Sequence, residues 1–190
     1  MANHTQATQS SQHPRPLPTQ PPLAHGIPLT GYNGGRMPVN YWLFKSEPTA
    51  YSYDHLVEDY IAEWDGVRNF QARNFLRDNI KVNDLVLFYH SNANPIAVIG
   101  TAIVIREGYP DHTAWDPDSD HPDPKSTVEN PIWYMVDIKA DQYFDKPVTL
   151  QAMRNNPALK DMVLLRKGMR LSIQPVTQEQ FEAICDMGSV

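Results

Sequence analysis

Between Arg36 and Asn40 the chain changes texture, and that break limits what it can fold into. Residues 1–36 are rich in Gln, Pro, Ser, Thr and His and hold few large apolar side chains. Such a segment buries too little surface to offset the entropy of ordering it. Residues 1–37 therefore read as a disordered tail and residues 38–190 as one domain, a size that a single core can organise. The Pro14–Pro18 stretch has the composition of a polyproline ligand, with a passive tail as the simpler reading. Met37 offers an alternative start, because the compact part begins directly after it.

Beyond the break, short aromatic and β-branched runs alternate with turn residues. Tyr41 to Lys45 reads as a first strand, stopped at Lys45-Ser46-Glu47-Pro48 by a proline that withdraws a ladder donor. Ser52 is placed to cap a short helix, with His55 at its third position and Leu56, Tyr60 and Ile61 as its apolar stripe. Trp64-Asp65-Gly66 is a turn whose glycine can take positive φ, and Asn69 opens a second short helix reaching Leu76. Residues 84–90 and 96–106 are strands joined by a hairpin loop over 91–95. Residues 109–131 form a long loop with five aspartates, and loops beyond ~12–15 residues in a compact domain are usually functional or mobile. A strand over 132–138, helical turns over 149–154 and 156–161, a strand over 171–174 and a helix opened by a Thr177/Gln180 capping box complete the pattern. With no regular βαβ alternation, the order predicts an α+β domain around a mixed barrel or curled sheet.

Charge narrows the function. The chain carries 16 Lys and Arg against 22 Asp and Glu, a net of -6. Two of the basic residues, Arg15 and Arg36, lie in the tail, so the domain itself has 14 basic and 22 acidic residues. A broad phosphate-binding surface needs many Lys and Arg, so any contact with nucleic acid must be local. No apolar run approaches the ~18 residues of a membrane span, and no secretory leader is evident, which points to a soluble intracellular protein without a membrane partner. The single cysteine, Cys185, supports neither a disulfide framework nor a multi-cysteine zinc site.

Catalytic patterns are weak. His90 and Ser91 are adjacent on a strand and point to opposite faces, which spoils a Ser-His-Asp arrangement with a loop aspartate. No nucleophile elbow, P-loop or Gly-rich dinucleotide turn is present. Asp116, Asp118 and Asp120 have the first three spacings of a calcium loop, but His121 stands where Gly is required and Thr127 where a bidentate Glu is required. Neither a metal nor a cofactor is expected. A third constellation is more specific: Trp42, Trp64, Tyr89, Trp115 and Trp133 each lie beside residues able to hydrogen-bond, including Lys45-Ser46, Arg68-Asn69, His90-Ser91, Asp116 and Lys125-Ser126. Stacking faces with a few donors and acceptors are what a pocket for one extruded base needs. The bland reading of any one Trp remains a core residue.

Six motifs can then be set together: Tyr41–Pro48, Trp64-Asp65-Gly66-Val67-Arg68-Asn69, Phe88-Tyr89-His90-Ser91, Asp123-Pro124-Lys125-Ser126, Pro131–Asp137 and Leu171–Val176. In this order and spacing, from about Pro38 to the C-terminus, the chain resembles the EVE domain. The resemblance implies a PUA-like mixed β pseudo-barrel with flanking short helices, related in shape to YTH and ASCH domains. It implies a non-catalytic, monomeric module that reads a modified cytosine or adenine in DNA or RNA, the base flipped into an aromatic pocket. By analogy Trp42, Lys45 and Ser46 border that pocket, and Trp64, Gly66, Arg68 and Asn69 form a second wall. Tyr89, His90 and Ser91 make its floor, and Asp116, Lys125 and Trp133 complete it, with Lys45, Arg68 and Lys125 meeting phosphates. The location implied is cytoplasmic for a bacterial protein and nuclear only for a eukaryotic one. Two other readings stay open: an enzyme acting on a nucleotide or small molecule through His90 and Asp116, and an interaction module whose acidic loop docks a basic protein.

Overall fold

A computed structural model describes residues 39–189; the expected tail, its Pro14–Pro18 stretch and the alternative start at Met37 lie outside the described residues. In chain order the elements are β1 (Tyr41–Ser46), α1 (Tyr53–Asp59), β2 (Ala62–Glu63) and α2 (Phe70–Asn74), which continues into a π turn over Phe75–Asn79. After these come β3 (Leu85–His90), β4 (Ala97–Pro110), β5 (Tyr134–Thr149), α3 (Leu150–Asn155), β6 (Ile173–Val176) and α4 (Gln178–Gly188). Short 3₁₀ turns interrupt the longer connections. The strands form one mixed sheet in the order β2-β5-β4-β3-β1-β6, in which β1 and β3 run parallel and the other pairs antiparallel. This is the α+β arrangement that the sequence predicts.

Alternation along the central strands explains why both faces of the sheet must be covered. Trp42 and Phe44 point to one side and Leu43 to the other, and all three are buried. β3 follows the same rule in register with β1: Val86 and Phe88 join the first side, Leu87 and Tyr89 the second. A strand buried on both faces reads as a near-continuous apolar run, which is the character of both segments. The first face gathers Trp42, Phe44, Tyr53, Trp64 and Phe88 among aliphatic side chains under α1 and α2. The second gathers Leu43, Val98, Met153, Leu159, Phe181 and Ile184 under α3 and α4.

The helices begin where their caps predict. Ser52 Oγ accepts from the His55 amide at 3.1 Å while His55 Nδ1 accepts from the Ser52 amide at 3.2 Å, a reciprocal capping box. Asn69 caps α2, and Thr177 with Gln180 caps α4 in the same reciprocal manner. Three expectations are corrected. α1 stops at Asp59, because Tyr60 turns into the left-handed region at φ 68; Tyr60 and Ile61 are exposed instead of lining a stripe. β5 starts at Tyr134 and runs on past Ile138 to Thr149, with only Phe144 and Val148 buried among polar neighbours in its second half. Register shifts along the β4–β5 pair break the strict two-residue alternation that marks a strand in sequence. The last strand begins at Ile173, two positions later than expected.

Candidate functional site

A cleft of about 640 Å³ opens where β1 ends. One wall is Lys45, Ser46 and Glu47 with Ala50 and Tyr51 of the connection to α1; Ser172 adjoins it, because the Lys45 amide donates to the Ser172 carbonyl at 2.9 Å. The opposite wall is β2 and the segment after it, Trp64 to Arg68, and the loop after β4 closes the cleft with Thr113 and residues 118–121. Trp64 forms the back. It is only 8% exposed, tilted against Phe44 at 5.2 Å between ring centroids and edge-on to Phe88 at 5.4 Å, so the core holds it rigidly.

The second wall owes its shape to one buried carboxylate. Asp111, fully buried, accepts from the Gly66 amide at 3.1 Å, from Arg68 Nη1 at 2.6 Å, and from the amide and hydroxyl of Thr113 at 2.9 and 2.6 Å. Burial alone would raise its pKa, but the hydrogen bonds from Thr113, Arg68 and Gly66 and the Arg68 charge outweigh it and hold the carboxyl below its ordinary range. Gly66 sits at φ 68, and a Cβ there would come within 2.4 Å of His121 Cδ2, so the His121 ring lies directly on the glycine. Arg68 also donates from Nε and Nη2 to the His121 carbonyl. The long acidic loop is thereby pinned over the cleft.

Carboxylates dominate the lining: Glu47, Glu63, Asp65, Asp118 and Asp120 against Lys45 and Arg68. Partial burial, then the charge of Asp111, pushes the Asp65 carboxyl above its ordinary value. Lys45 donates from Nζ to the Met169 carbonyl at 3.2 Å, and burial lowers its pKa. Every nitrogen of the Arg68 guanidinium is engaged, and the group also stacks on Trp133 with 5.5 Å from Cζ to the ring centroid. The chemistry on offer is therefore a firmly packed indole, many acceptors and few free cations.

Of the thirteen residues singled out in the sequence, Lys45, Ser46, Trp64, Gly66 and Arg68 meet in this cleft. The others do not line it. Trp42 is core, donating from Nε1 to Asp84 at 2.9 Å. Asn69 caps α2, and Tyr89 lies on the far face of the sheet with Leu43 and Leu87. His90 Nε2 accepts from the Tyr53 amide at 3.1 Å, burial lowering its pKa, and Ser91 Oγ donates to the Ser46 carbonyl at 3.3 Å. Asp116 folds back on the Asp118 amide, Lys125 is exposed, and Trp133 stacks on Phe70 while donating to Asp123 at 2.7 Å. No hydrogen bond joins His90 to Asp116 among the described residues: His90 is engaged by Tyr53 and Asp116 by the Asp118 amide. Sequence reasoning passed over Tyr51, Asp65, Asp111, Thr113, His121 and Ser172. Ser172 was legible in principle as the antiparallel neighbour of Lys45; the loop partners carried no local signal.

The sequence profile of the EVE domain matches residues 40–187, almost the whole described chain. The chain belongs to the EVE domain family. Mouse thymocyte nuclear protein 1 is 37% identical over 174 residues, which cover 82% of this chain and 76% of that protein. Among solved structures, a hypothetical protein from Leishmania major superposes with a TM-score of 0.76 at 42% identity, covering 80% of this chain and 95% of the other. Human THYN1, solved in complex with DNA containing 5-methylcytosine, superposes with a TM-score of 0.74 at 35% identity, covering 80% of this chain and 99% of the human chain.

Proposed function

We propose that this EVE domain is a non-catalytic reader of a modified base in nucleic acid, and that the base enters the cleft backed by Trp64. The observation that carries the reading is the rigid, acceptor-lined cleft in a fold shared with THYN1, whose DNA complex contains 5-methylcytosine. Its volume lies within the range of about 300–1,000 Å³ usual for small-ligand sites. Tyr51 and Trp64 supply apolar contact, and the His121 ring lies against Gly66 on the cleft wall. The surrounding carboxylates suit a base that presents an amino group, because Asp and Glu accept from the exocyclic N–H of cytosine. Phosphates are poorly served inside so acidic a cleft, so affinity there comes from the base itself. Extruding a base from a duplex costs a few kcal/mol, and stacking returns about 1–3 kcal/mol.

The test is a fluorescence-anisotropy comparison of wild type, Tyr51→Leu and Trp64→Phe on one duplex with and without 5-methylcytosine. Wild type is expected to favour the modified duplex, and each variant to lose most of that preference while melting as a folded protein. Variants that fold and keep the full preference would remove the cleft from the reading.

A further inference from the structure

If a base occupies the cleft, its flanking phosphates must find cations, and the three expected to serve are poorly placed. Arg68 is consumed by Asp111, the His121 carbonyl and Trp133; Lys45 is tied to the Met169 carbonyl; Lys125 lies outside the cleft lining. The carbonyl that holds Lys45 belongs to a segment of opposite character. Between Lys160 and Ser172 there are four basic residues and one acidic residue, in a domain where acids outnumber bases 22 to 14.

Within that segment the Met169 amide donates to the Arg166 carbonyl at 3.3 Å, closing a turn with Lys167 and Gly168 at its tip. Gly168 takes φ 77, the left-handed conformation that the third position of a type II turn requires, and a Cβ built on it would meet nothing within 4 Å. The tip therefore projects into open space. Its ends are fixed: Leu164 and Leu171 are buried on either side, and the segment leads into Ser172 on the cleft wall. Arg166, Lys167 and Arg170 are exposed within five positions of one another, and none has an ion-pair partner among the described residues.

We propose that the Arg166–Arg170 turn is the phosphate clamp of this EVE domain, gripping the sugar-phosphate backbone beside the base held in the cleft. The inference rests on the base-reading proposal and adds a second, separable element to it. The cleft supplies selectivity among bases; the turn supplies sequence-independent affinity, with two arginines able to fork onto phosphate oxygens. A preformed turn also limits the ordering cost of the contact.

The experiment measures affinity for a duplex carrying 5-methylcytosine, and for its unmodified twin, across a salt series, with wild type and the triple variant Arg166→Gln, Lys167→Gln, Arg170→Gln. Neutralising one side chain that pairs with a phosphate flattens the slope of log affinity against log salt by about 0.9. The triple variant is expected to bind both duplexes more weakly, with a slope flatter by roughly 2–3, and to keep the wild-type ratio between modified and unmodified DNA. Because all three side chains are exposed, its melting temperature should match wild type. A slope unchanged from wild type overturns the clamp while leaving the base reading intact; a wild type that prefers neither duplex overturns the base reading itself.

Discussion

The two faces of the sheet are built for different ends. Beneath α3 and α4 the core is closed over, with Leu43, Leu87, Val98, Met153 and Ile184 fully buried and the rings of Tyr89, Phe144 and Phe181 set among aliphatic side chains. Beneath α1 and α2 the rings of Phe44, Trp64, Phe88 and Tyr53 pack against one another, and the core stops short: behind Trp64 it is solid, in front of Trp64 lies the cleft. Flexible aliphatic side chains fill a closed volume well. Aromatic rings braced edge to face hold a wall that stays open without collapsing. An open wall of this kind needs support from two directions: packing holds it from the sheet side, and one buried carboxylate, Asp111, holds it from the loop side.

That contrast can be broken most severely at the carboxylate. Asp111→Ala strips the Gly66 amide, Arg68 and Thr113 of their shared acceptor. Removing one partner of a buried pair costs about 3–5 kcal/mol, so urea denaturation should show a loss of that order together with loss of DNA binding. The same group predicts an acid limb. Its folded pKa is depressed, so its stabilisation is complete above the unfolded value near 3.9 and is lost as pH falls through the lower folded value. Urea midpoints taken downward from pH 5 should drop more steeply in wild type than in Asp111→Asn.

On the closed face, Met153→Ala should cost about 2–5 kcal/mol by leaving a cavity, with the preference for modified over unmodified DNA unchanged. Tyr51→Leu inverts that pattern: affinity for the modified duplex should fall about tenfold, with little change in the urea midpoint. The smallest expected effect is Asn69→Ala. Losing the cap of α2 should cost about 1 kcal/mol and leave base preference untouched, which separates a capping residue from a base-reading one.

Asn69 also shows how far the sequence could be read. Its cap was legible because an Asn before a helical stretch has a local physical role; its assignment to the pocket came only from the neighbourhood of Trp64 in the chain. β1, β3 and most of β4 were legible because they are apolar runs of strand length, and Lys45, Ser46, Trp64, Gly66 and Arg68 were found because they sit in two short segments that face each other. Tyr89 was misplaced for a reason the sequence contains: two-residue alternation puts it with Leu87, opposite Phe88 and Trp64. The second half of β5 was illegible because its exposed face is charged and its register is bulged. Asp111 and His121 were illegible as site residues because their partners lie more than forty positions away in the chain.

The central claim is that the cleft beside Trp64 selects a modified base. It is tested most directly by the affinity of wild type for one duplex with and without 5-methylcytosine, measured at low and at high salt. The account predicts that both affinities fall with salt while their ratio, in favour of the modified duplex, holds. A ratio of one at both salt concentrations would contradict it for this modification, and the same ratio across duplex and RNA panels bearing modified cytosine or adenine would contradict it altogether.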